Sequence, residues 1–241
     1  MVTKNQIKLV RSLQQKKYRN QQGLFVVEGL KTVREILKSE LKTFGIFVDK
    51  ESYKTDLGDL AVLVSSKVIA QMSGQANPSG VIGVFHIPEL MDFSLEGWVV
   101  ALDAIRDPGN LGTIIRLCDW FDIKHIICSK DTVDCYNPKV LQATMGSIAR
   151  VDIRYLDLVD FFEKHPLTPI VGAFMNGNSL YKASFSGSGI LIMGNEANGI
   201  SKAIEDKVTH RIGIPQFGET TTESLNVASA TAILLSEIKR G

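Results

Sequence analysis

From Trp98 onward, short apolar segments alternate with segments of helical spacing, and this alternation constrains the fold more than any other feature. The predicted strands cover residues 98–102, 125–128, 152–155, 170–174, 189–193 and 210–214. The predicted helices between them cover residues 111–121, 139–148, 158–164 and 201–206. Such alternation is typical of a mostly parallel β-sheet with helices on both faces. Because ligands of these sheets bind beyond the carboxyl ends of the strands, we expect the chemistry in the loops that follow strands.

The first 90 residues alternate in the same way over shorter segments. Here the predicted strands cover residues 24–27, 44–48, 61–64 and 80–87, and the predicted helices cover 5–18 and 30–39. A chain of 241 residues is long enough for two domains that each bury a core. We therefore predict a small α/β domain at 1–90, a linker that begins at Pro88, and a second α/β domain at 97–241.

The composition is that of a globular protein, with 44% hydrophobic and 22% charged residues. No apolar run is long enough to span a bilayer, and the N-terminus lacks the apolar core of a secretory signal. The three cysteines, Cys118, Cys128 and Cys135, lack the paired spacing of metal ligands. These features predict a cytoplasmic protein with reduced, buried thiols, without a metal site and without a membrane segment.

Positive charge is concentrated near the N-terminus, although the net charge of the chain is only +1. The first acidic residue is Glu28, and every charged residue before it is Lys or Arg. Such a segment can lie along RNA phosphates and release counterions, or it can be a solvated helix face beside an apolar stripe. The predicted RNA contacts are Lys8, Arg11, Lys16, Lys17 and Arg19.

The first loop motif follows the predicted strand 98–102 and contains a Pro108-Gly109 turn. A helix is predicted to begin near Asn110, and its apolar stripe has the spacing of a buried face. Arg116 falls on the opposite side of this helix. Two interpretations remain open: Asn110 and Arg116 are functional, or Asn110 caps the helix and Arg116 faces solvent.

The second loop motif follows the predicted strand 189–193 and is bounded by Gly194 and Gly199. These glycines enclose the carboxylate of Glu196 and the amides of Asn195 and Asn198. Glycine allows a close approach of the backbone to a ligand and a positive φ angle, although a tight turn explains the pattern equally well. The spacing is neither that of a dinucleotide fingerprint nor that of a P-loop.

The third loop motif runs from Ile214 past Gly218 to Ser224, Leu225 and Asn226, after the predicted strand 210–214. The predicted closing helix, 225–239, is apolar or small on nearly every face, which indicates burial in the domain or against a partner subunit. Ser224 is predicted to cap this helix. A purely structural role explains Asn226, beside a glycine loop, less well than it explains Ser224.

Together the three motifs resemble those of the SpoU (TrmH-like) family, the 2′-O-ribose branch of the SPOUT RNA methyltransferases. The resemblance rests on Asn110-x-Gly112-x-x-x-Arg116, on Gly194-Asn195-Glu196-x-x-Gly199, and on Ile214-Pro215 with Ser224-Leu225-Asn226-Val227. The N-terminal half, with Val27-Glu28-Gly29, resembles the ribosomal-protein-like RNA-binding domain that precedes many such catalytic domains. The chain departs from the family pattern in three places. Ala197 and Asp122 stand where the family commonly has glycine, and the link 219–223 is longer than usual.

This resemblance implies transfer of a methyl group from S-adenosyl-L-methionine to a ribose 2′-hydroxyl of RNA, with ribosomal RNA favoured over transfer RNA. It also implies a trefoil knot near the C-terminus and a homodimer. The implied catalytic residues are Asn110, Arg116, Glu196, Ser224 and Asn226. The implied cofactor-binding residues are Met193, Gly194, Asn195, Ile214, Gly218, Leu225 and Asn226.

The expected role of Arg116 follows from the chemistry of its guanidinium, because guanidinium groups stay protonated in proteins and do not act as free general bases. We expect Arg116 to clamp a phosphate and polarise the hydroxyl, while the proton leaves to Glu196 or to water. Two alternatives to the enzyme are a non-catalytic RNA-binding protein on the same fold and a nucleotide-dependent oxidoreductase. The intact motif residues oppose the first, and the missing glycine fingerprint opposes the second.

Overall fold

A computed structural model describes residues 2–89, 95–218 and 224–240. The helices are α1 (Lys4–Ser12), α2 (Lys16–Gln22), α3 (Leu30–Leu37), α4 (Glu51–Leu57), α5 (Ser66–Met72), α6 (Pro108–Trp120), α7 (Pro138–Thr144), α8 (Leu158–Lys164), α9 (Lys202–Glu205) and α10 (Val227–Arg240). The strands are β1 (Leu24–Glu28), β2 (Thr43–Val48), β3 (Ala61–Leu63), β4 (Val81–His86), β5 (Trp98–Leu102), β6 (His125–Cys128), β7 (Asp152–Tyr155), β8 (Ile170–Ser179), β9 (Gly189–Met193) and β10 (His210–Gly213). Most of the predicted linker and the link 219–223 lie outside the described residues.

The chain divides into two compact units, and the first comprises residues 1–89 and 134–149. Its mixed sheet has the strand order β1-β4-β2-β3, with β4 antiparallel to both neighbours and β3 parallel to β2. Val10 from α1 and Leu13, the residue after α1, pack with Met72 from α5 on this sheet. The predicted helix 5–18 is wrong, because the chain turns between α1 and α2, where Gln15 has an extended backbone.

Residues 134–149 belong to the first unit, whereas we placed this segment in the domain 97–241. Helix α7 packs on β1, and the ring of Tyr136 lies 4.8 Å from that of Phe25 between centroids. Asp134 forms an ion pair with Arg19. The boundary differs from the predicted one because these contacts join residues more than 100 positions apart, which local patterns do not reveal.

The second unit comprises residues 90–133 and 150–241 and contains a six-stranded sheet with the order β10-β8-β9-β5-β6-β7. The five pairings described between neighbouring strands are all parallel, as predicted. Strands β5 and β9 are buried along their full length, so each reads as a continuous apolar run. Strand β8 extends to Ser179, further than the predicted 170–174, and its register with β10 shifts between Arg211 and Ile212.

Two helix starts differ from the prediction and decide which side chains face the site. Helix α6 begins at Pro108, and its N-cap is Asp107, whose carboxylate accepts from the backbone N–H of Asn110 at 2.8 Å. Helix α10 begins at Val227, and the side-chain oxygen of Asn226 accepts from the N–H groups of the first turn. The prediction that Ser224 caps α10 is therefore wrong, and of the two interpretations of Asn110 the one in which it caps α6 is excluded.

The end of α6 accounts for one of the departures from the family pattern. Asp122, where glycine is common, has a φ angle of 54°, in the left-handed region that glycine adopts most easily. Aspartate tolerates this region better than most residues because its short side chain bonds locally.

Candidate active site

Three of the predicted catalytic residues form one chain of hydrogen bonds. The side-chain N–H of Asn110 donates to Glu196 Oε1 at 2.6 Å, and the side-chain N–H of Asn226 donates to Asn110 Oδ1 at 2.9 Å. These residues come from the first turn of α6, from the loop after β9, and from the residue before α10. Residues separated by up to 116 positions therefore meet beyond the carboxyl end of the sheet.

The side-chain oxygen of Asn226 connects this series of hydrogen bonds to the first turn of α10. Its Oδ1 caps α10 by accepting from Ala228 N at 2.9 Å and from Ser229 N at 3.3 Å. The amide of Asn226 is thus fixed at both atoms, and the amide of Asn110 is fixed by partners on both sides. Asn226 consequently has the structural role that the sequence did not reveal, in addition to its place in the site.

The loop Gly194–Gly199 is held in a compact conformation by contacts within the loop. Asn195 and Gly199 exchange two backbone hydrogen bonds, of 3.0 and 2.8 Å, and Gly199 has a φ angle of +67°. A Cβ atom on Gly194 would lie 2.3 Å from the backbone of Gly199 and Ile200. The predicted close approach at Gly194 is therefore to this loop's own backbone.

Asn195, a predicted cofactor residue, uses its side chain to shape the same loop. Its Oδ1 accepts from the N–H groups of Ala197 and Asn198, and its Nδ2 donates to the carbonyl of Ala104 at 2.8 Å. Ala104 has a φ angle of 56° in the loop after β5. Asn195 thus fastens the second motif to the first.

The buried carboxylate of Asp103 makes a second connection that we did not predict. Its Oδ2 accepts from the backbone N–H of Ser201 at 2.7 Å, and the residue is only 6% exposed. A charge held in the interior needs such partners. The signal in the sequence was an aspartate directly after the fully apolar strand β5.

Besides Asn226, the third loop carries exposed apolar side chains. Phe217 is 86% exposed and Leu225 is 52% exposed, and the ring of Tyr181 lies 6.4 Å from that of Phe217 between centroids. Ile214 is half-buried and Gly218 is exposed. Exposed apolar side chains beside a polar cluster are typical of a surface that binds a ligand or a partner.

Two predicted catalytic residues lie outside the hydrogen-bond chain. Arg116 is exposed on α6, six residues after Asn110, which places it about 9 Å further along the helix axis and on another face. Within residues 2–89, 95–218 and 224–240, Arg116 has no hydrogen bond or ion pair. Ser224 is also exposed and has no hydrogen bond to a described residue.

The predicted RNA contacts in the first unit separate into two groups. Lys8, Arg11, Lys16 and Lys17 are exposed, as the prediction requires. Arg19 is 3% exposed, and its Nη1 donates to the carbonyls of Leu13 and Gln14 at 2.9 and 3.0 Å. Because its guanidinium also pairs with Asp134, Arg19 fixes the turn between α1 and α2, and its predicted RNA contact is wrong.

The three cysteines are buried and form no disulfide, as predicted. Burial raises the pKa of the Cys118 thiol far above its ordinary value, and the nearby Asp119 raises it further. In the part of the chain that the structure describes, no three His, Cys, Asp or Glu side chains cluster in a way that could hold a metal ion. No helix among these residues is long and apolar enough to cross a membrane.

The fold and the site define an α/β protein that presents polar side chains from three loops at the carboxyl edge of a parallel sheet. Within that class, the chain belongs to the SpoU rRNA methylase family, whose model matches residues 97–236. The model of the MRM3-like substrate binding domain matches residues 4–83. The family resemblance inferred from the three motifs is therefore confirmed.

Relatives match along the whole chain. The chain is 31% identical over 243 residues to 23S rRNA (guanosine(2553)-2′-O)-methyltransferase RlmP of Bacillus subtilis, which covers 98% of this chain and 97% of that protein. A TrmH-family protein from Porphyromonas gingivalis has a TM-score of 0.91 at 37% identity, over 100% of this chain and 99% of the other. The AdoMet-bound rRNA methyltransferase from Sinorhizobium meliloti has a TM-score of 0.84 at 31% identity, over 100% and 96% of the two chains.

Proposed function

We propose that this protein transfers a methyl group from S-adenosylmethionine to a ribose 2′-hydroxyl of ribosomal RNA. The observation that supports this most strongly is the hydrogen-bond chain from Glu196 through Asn110 to Asn226. It joins one residue from each of the three motifs of the family to which the chain belongs. A non-catalytic RNA-binding protein would have no need to hold a carboxylate in this arrangement.

The residues at the carboxyl edge fit the proposed cofactor. Adenine and a methionine chain require apolar walls and backbone groups at close range. Phe217 and Leu225 supply exposed apolar surface on the third loop, and the compact Gly194–Gly199 loop supplies backbone groups. When bound, the cofactor supplies an electrophilic methyl group on a positively charged sulfonium. The residues that would hold it are Met193, Gly194, Asn195, Ile214, Gly218, Leu225 and Asn226.

Glu196 is the proposed acceptor of the hydroxyl proton. Its Oε1 accepts from Asn110, and its Oε2 has no partner among the described residues, so one oxygen is oriented and the other is available. A positioned carboxylate that removes a proton accelerates a reaction typically by about 10²–10⁴-fold. Asn110 and Asn226 hold this carboxylate in place, which reduces the entropy lost when the substrate aligns.

Arg116 is proposed to clamp the phosphate next to the target ribose and to polarise the 2′-hydroxyl. Its planar fork of donors matches a phosphate, and it has no competing ion pair within the described residues. Arg116 lies away from the hydrogen-bond chain, on the same face of α6 as Trp120, which is one turn further on and 83% exposed. This exposed face supports the proposed homodimer, in which each site lies near the partner subunit.

Ribosomal RNA is the proposed substrate because RlmP acts on a guanosine of 23S rRNA and matches this chain along its whole length. The first unit, which matches a substrate binding domain, would hold that RNA. A guanosine of 23S rRNA is accordingly the first target to test.

We further propose a C-terminal trefoil knot and a cytoplasmic location, both on the strength of the family.

The test is incubation of purified protein with labelled S-adenosylmethionine and ribosomal RNA from cells that lack the gene, followed by nuclease digestion and mass spectrometry. We expect a single 2′-O-methylated nucleoside, and we expect the Glu196→Gln variant to form it about 10²–10⁴-fold more slowly. Lys164→Ala, an exposed change on α8, is the control and should leave the rate unchanged. Label on a base, or on transfer RNA only, would contradict the proposal.

A further inference from the structure

A groove of about 620 Å³ lies in the first unit between α1, α2 and α5, and none of the proposed catalytic residues lines it. Its walls include Lys8 and Arg11 from α1, Tyr18 from α2 and Gln71 from α5. Sites that accept small ligands have volumes of about 300–1,000 Å³, so the groove can accommodate a nucleotide. Its lining combines cations, an aromatic ring and amides, which together match the chemistry of RNA.

The positive charge of the groove follows from the way α1 packs. Val10 and Leu13 are fully buried in the core, which directs Lys8 and Arg11, three residues apart, to the open side of the helix. Both side chains are exposed, and the described residues that line the groove include no Asp or Glu. Two cations without a carboxylate among the lining residues favour the binding of phosphates.

Glutamine amides give the groove its hydrogen-bonding capacity. Gln14, Gln15 and Gln71 all line it. The side-chain nitrogen of Gln14 is buried and has no hydrogen-bond partner among the described residues. Because a buried donor without an acceptor is destabilising, rotation of this amide toward an acceptor on a ligand in the groove would be favoured. Amides have both donors and acceptors, as the edges of nucleobases do.

Polar contacts hold both walls of the groove in place. On one side, Arg19 fixes the carbonyls of Leu13 and Gln14 at the turn between α1 and α2. On the other side, Glu28 accepts from the backbone N–H of Gly74 at 2.8 Å. A Cβ atom on Gly74 would lie 2.4 Å from the side-chain oxygen of Gln14, so glycine leaves the space that this amide occupies. A preorganised groove loses less entropy when a ligand binds.

We propose that this groove binds one unpaired nucleotide of the RNA substrate. Tyr18 stacks on the base, Gln14 and Gln71 bond to its edge, and Lys8 and Arg11 hold the flanking phosphates. The nucleotide is unpaired because the bases of an RNA duplex cannot reach an aromatic ring in this way, whereas bases in loops and bulges can. The proposal rests on the proposed function insofar as the substrate is RNA.

The stacking part is tested by fluorescence anisotropy of the full chain with a labelled ten-nucleotide single-stranded RNA. We expect Tyr18→Ala to weaken binding by about 5- to 150-fold, and Tyr18→Phe, which keeps the ring, to bind as the unaltered protein does. The same RNA in a duplex should bind more weakly and should not distinguish the two variants. Equal binding by Tyr18→Ala and Tyr18→Phe, or equal affinity for duplex and single strand, would overturn the proposal.

The phosphate part is tested by the dependence of binding on salt. Removal of Lys8 and Arg11 together should reduce the slope of log K against log salt by about 1.4, since each phosphate contact of a single strand contributes about 0.7. Lys16→Ala is the matched control, because it removes an exposed charge from the same segment but does not line the groove. A slope unchanged in the double variant, or changed equally in the control, would contradict the assignment.

These outcomes are separable from the failure of the proposed function. If the unaltered protein methylates RNA and the groove variants bind and methylate as well as it does, the groove proposal fails and the function stands. If no methyl group is transferred but the groove variants still bind single-stranded RNA more weakly than the unaltered protein, the proposed function is wrong and the groove proposal is supported. Cross-linking of 4-thiouridine RNA to the peptide that contains Tyr18 provides an independent readout.

Discussion

The outer face of α6 and the helix α2 each contain an arginine that the sequence assigned to RNA, and the two arginines have opposite environments in the structure. Arg116 on α6 is exposed and has no partner among the described residues. Arg19 is buried, with two backbone carbonyls and the carboxylate of Asp134 around it. The same side chain is available for binding in one region and committed to folding in the other.

The difference shows which kind of sequence signal predicts a binding residue. Arg116 was assigned from its place in a motif that follows a strand, and such a place fixes its position relative to the sheet edge. Arg19 was assigned because it belongs to a run of positive charge. Its environment is decided by Asp134, which lies 115 positions further along the chain and which no local pattern connects to it.

The largest expected effect is on stability, at Arg19. Arg19→Ala should lower the free energy of unfolding by about 3–5 kcal/mol, because it leaves the Asp134 carboxylate and two buried carbonyls without their donor. Urea unfolding followed by circular dichroism measures this change. Lys16→Ala, from the same charge run, should stay within about 0.5 kcal/mol. Similar stabilities of the two variants would remove the distinction between the two regions.

The next effect is on catalysis, at Arg116. Arg116→Ala should lower kcat by about 10²–10³-fold, as the loss of an oriented donor does in other active sites. The unfolding free energy should stay within about 0.5 kcal/mol, since the residue is exposed. Arg116→Lys should restore little activity, because an ammonium group cannot make the bidentate contact. Near-normal turnover in the lysine variant would disprove the proposed phosphate clamp. Arg240→Ala, which removes another exposed arginine, is the control and should leave kcat unchanged.

A smaller effect is expected from the hydrogen bond between Asn110 and Glu196. A double-mutant cycle on the methyl transfer rate with Asn110→Ala and Glu196→Ala should give a coupling energy of about 0.5–3 kcal/mol, because the two side chains are in direct contact. The effects of Arg116→Ala and Asn110→Ala on the rate should be more nearly additive, because these two side chains are not in direct contact. A coupling near zero between Asn110 and Glu196 would mean that their contact does not serve the reaction.

The smallest effect concerns the inner face of α6. Cys118 is fully buried there, and its raised pKa keeps the thiol protonated. We expect iodoacetamide to leave Cys118 unmodified in the native protein at pH 8 and to modify it after unfolding in urea, as measured by mass spectrometry of the peptides. Rapid modification of Cys118 in the native protein would show that the inner face of α6 is not packed as described.

The sequence was sufficient for the parallel sheet but not for the connections made by single polar side chains. Strands β5, β6, β7 and β9 have the predicted bounds, because each follows an apolar run and precedes a turn. Helices α4 and α5 were not predicted. They are short, and α4 buries only Leu57, so neither shows a long apolar stripe.

For the site, the motifs identified Asn110, Glu196 and Asn226, which the structure brings together. They did not identify the caps Asp107 and Asn226 or the buried Asp103, because each of these roles depends on where a neighbouring backbone N–H points. The groove of the first unit could not be predicted from the sequence either. Its residues come from α1, α2, α5 and the segments beside them, and the packing of these helices depends on the core.

The most direct measurement of the central claim uses the chemistry of the 2′-hydroxyl itself. Alkali cleaves RNA through attack by this group on the adjacent phosphate, so a 2′-O-methyl group protects one bond. Ribosomal RNA from cells that lack the gene should be incubated with the protein and S-adenosylmethionine, hydrolysed in alkali and mapped by primer extension. We predict one protected position that requires both protein and cofactor and that is lost with Arg116→Ala. Methyl incorporation without any protected position would contradict the account.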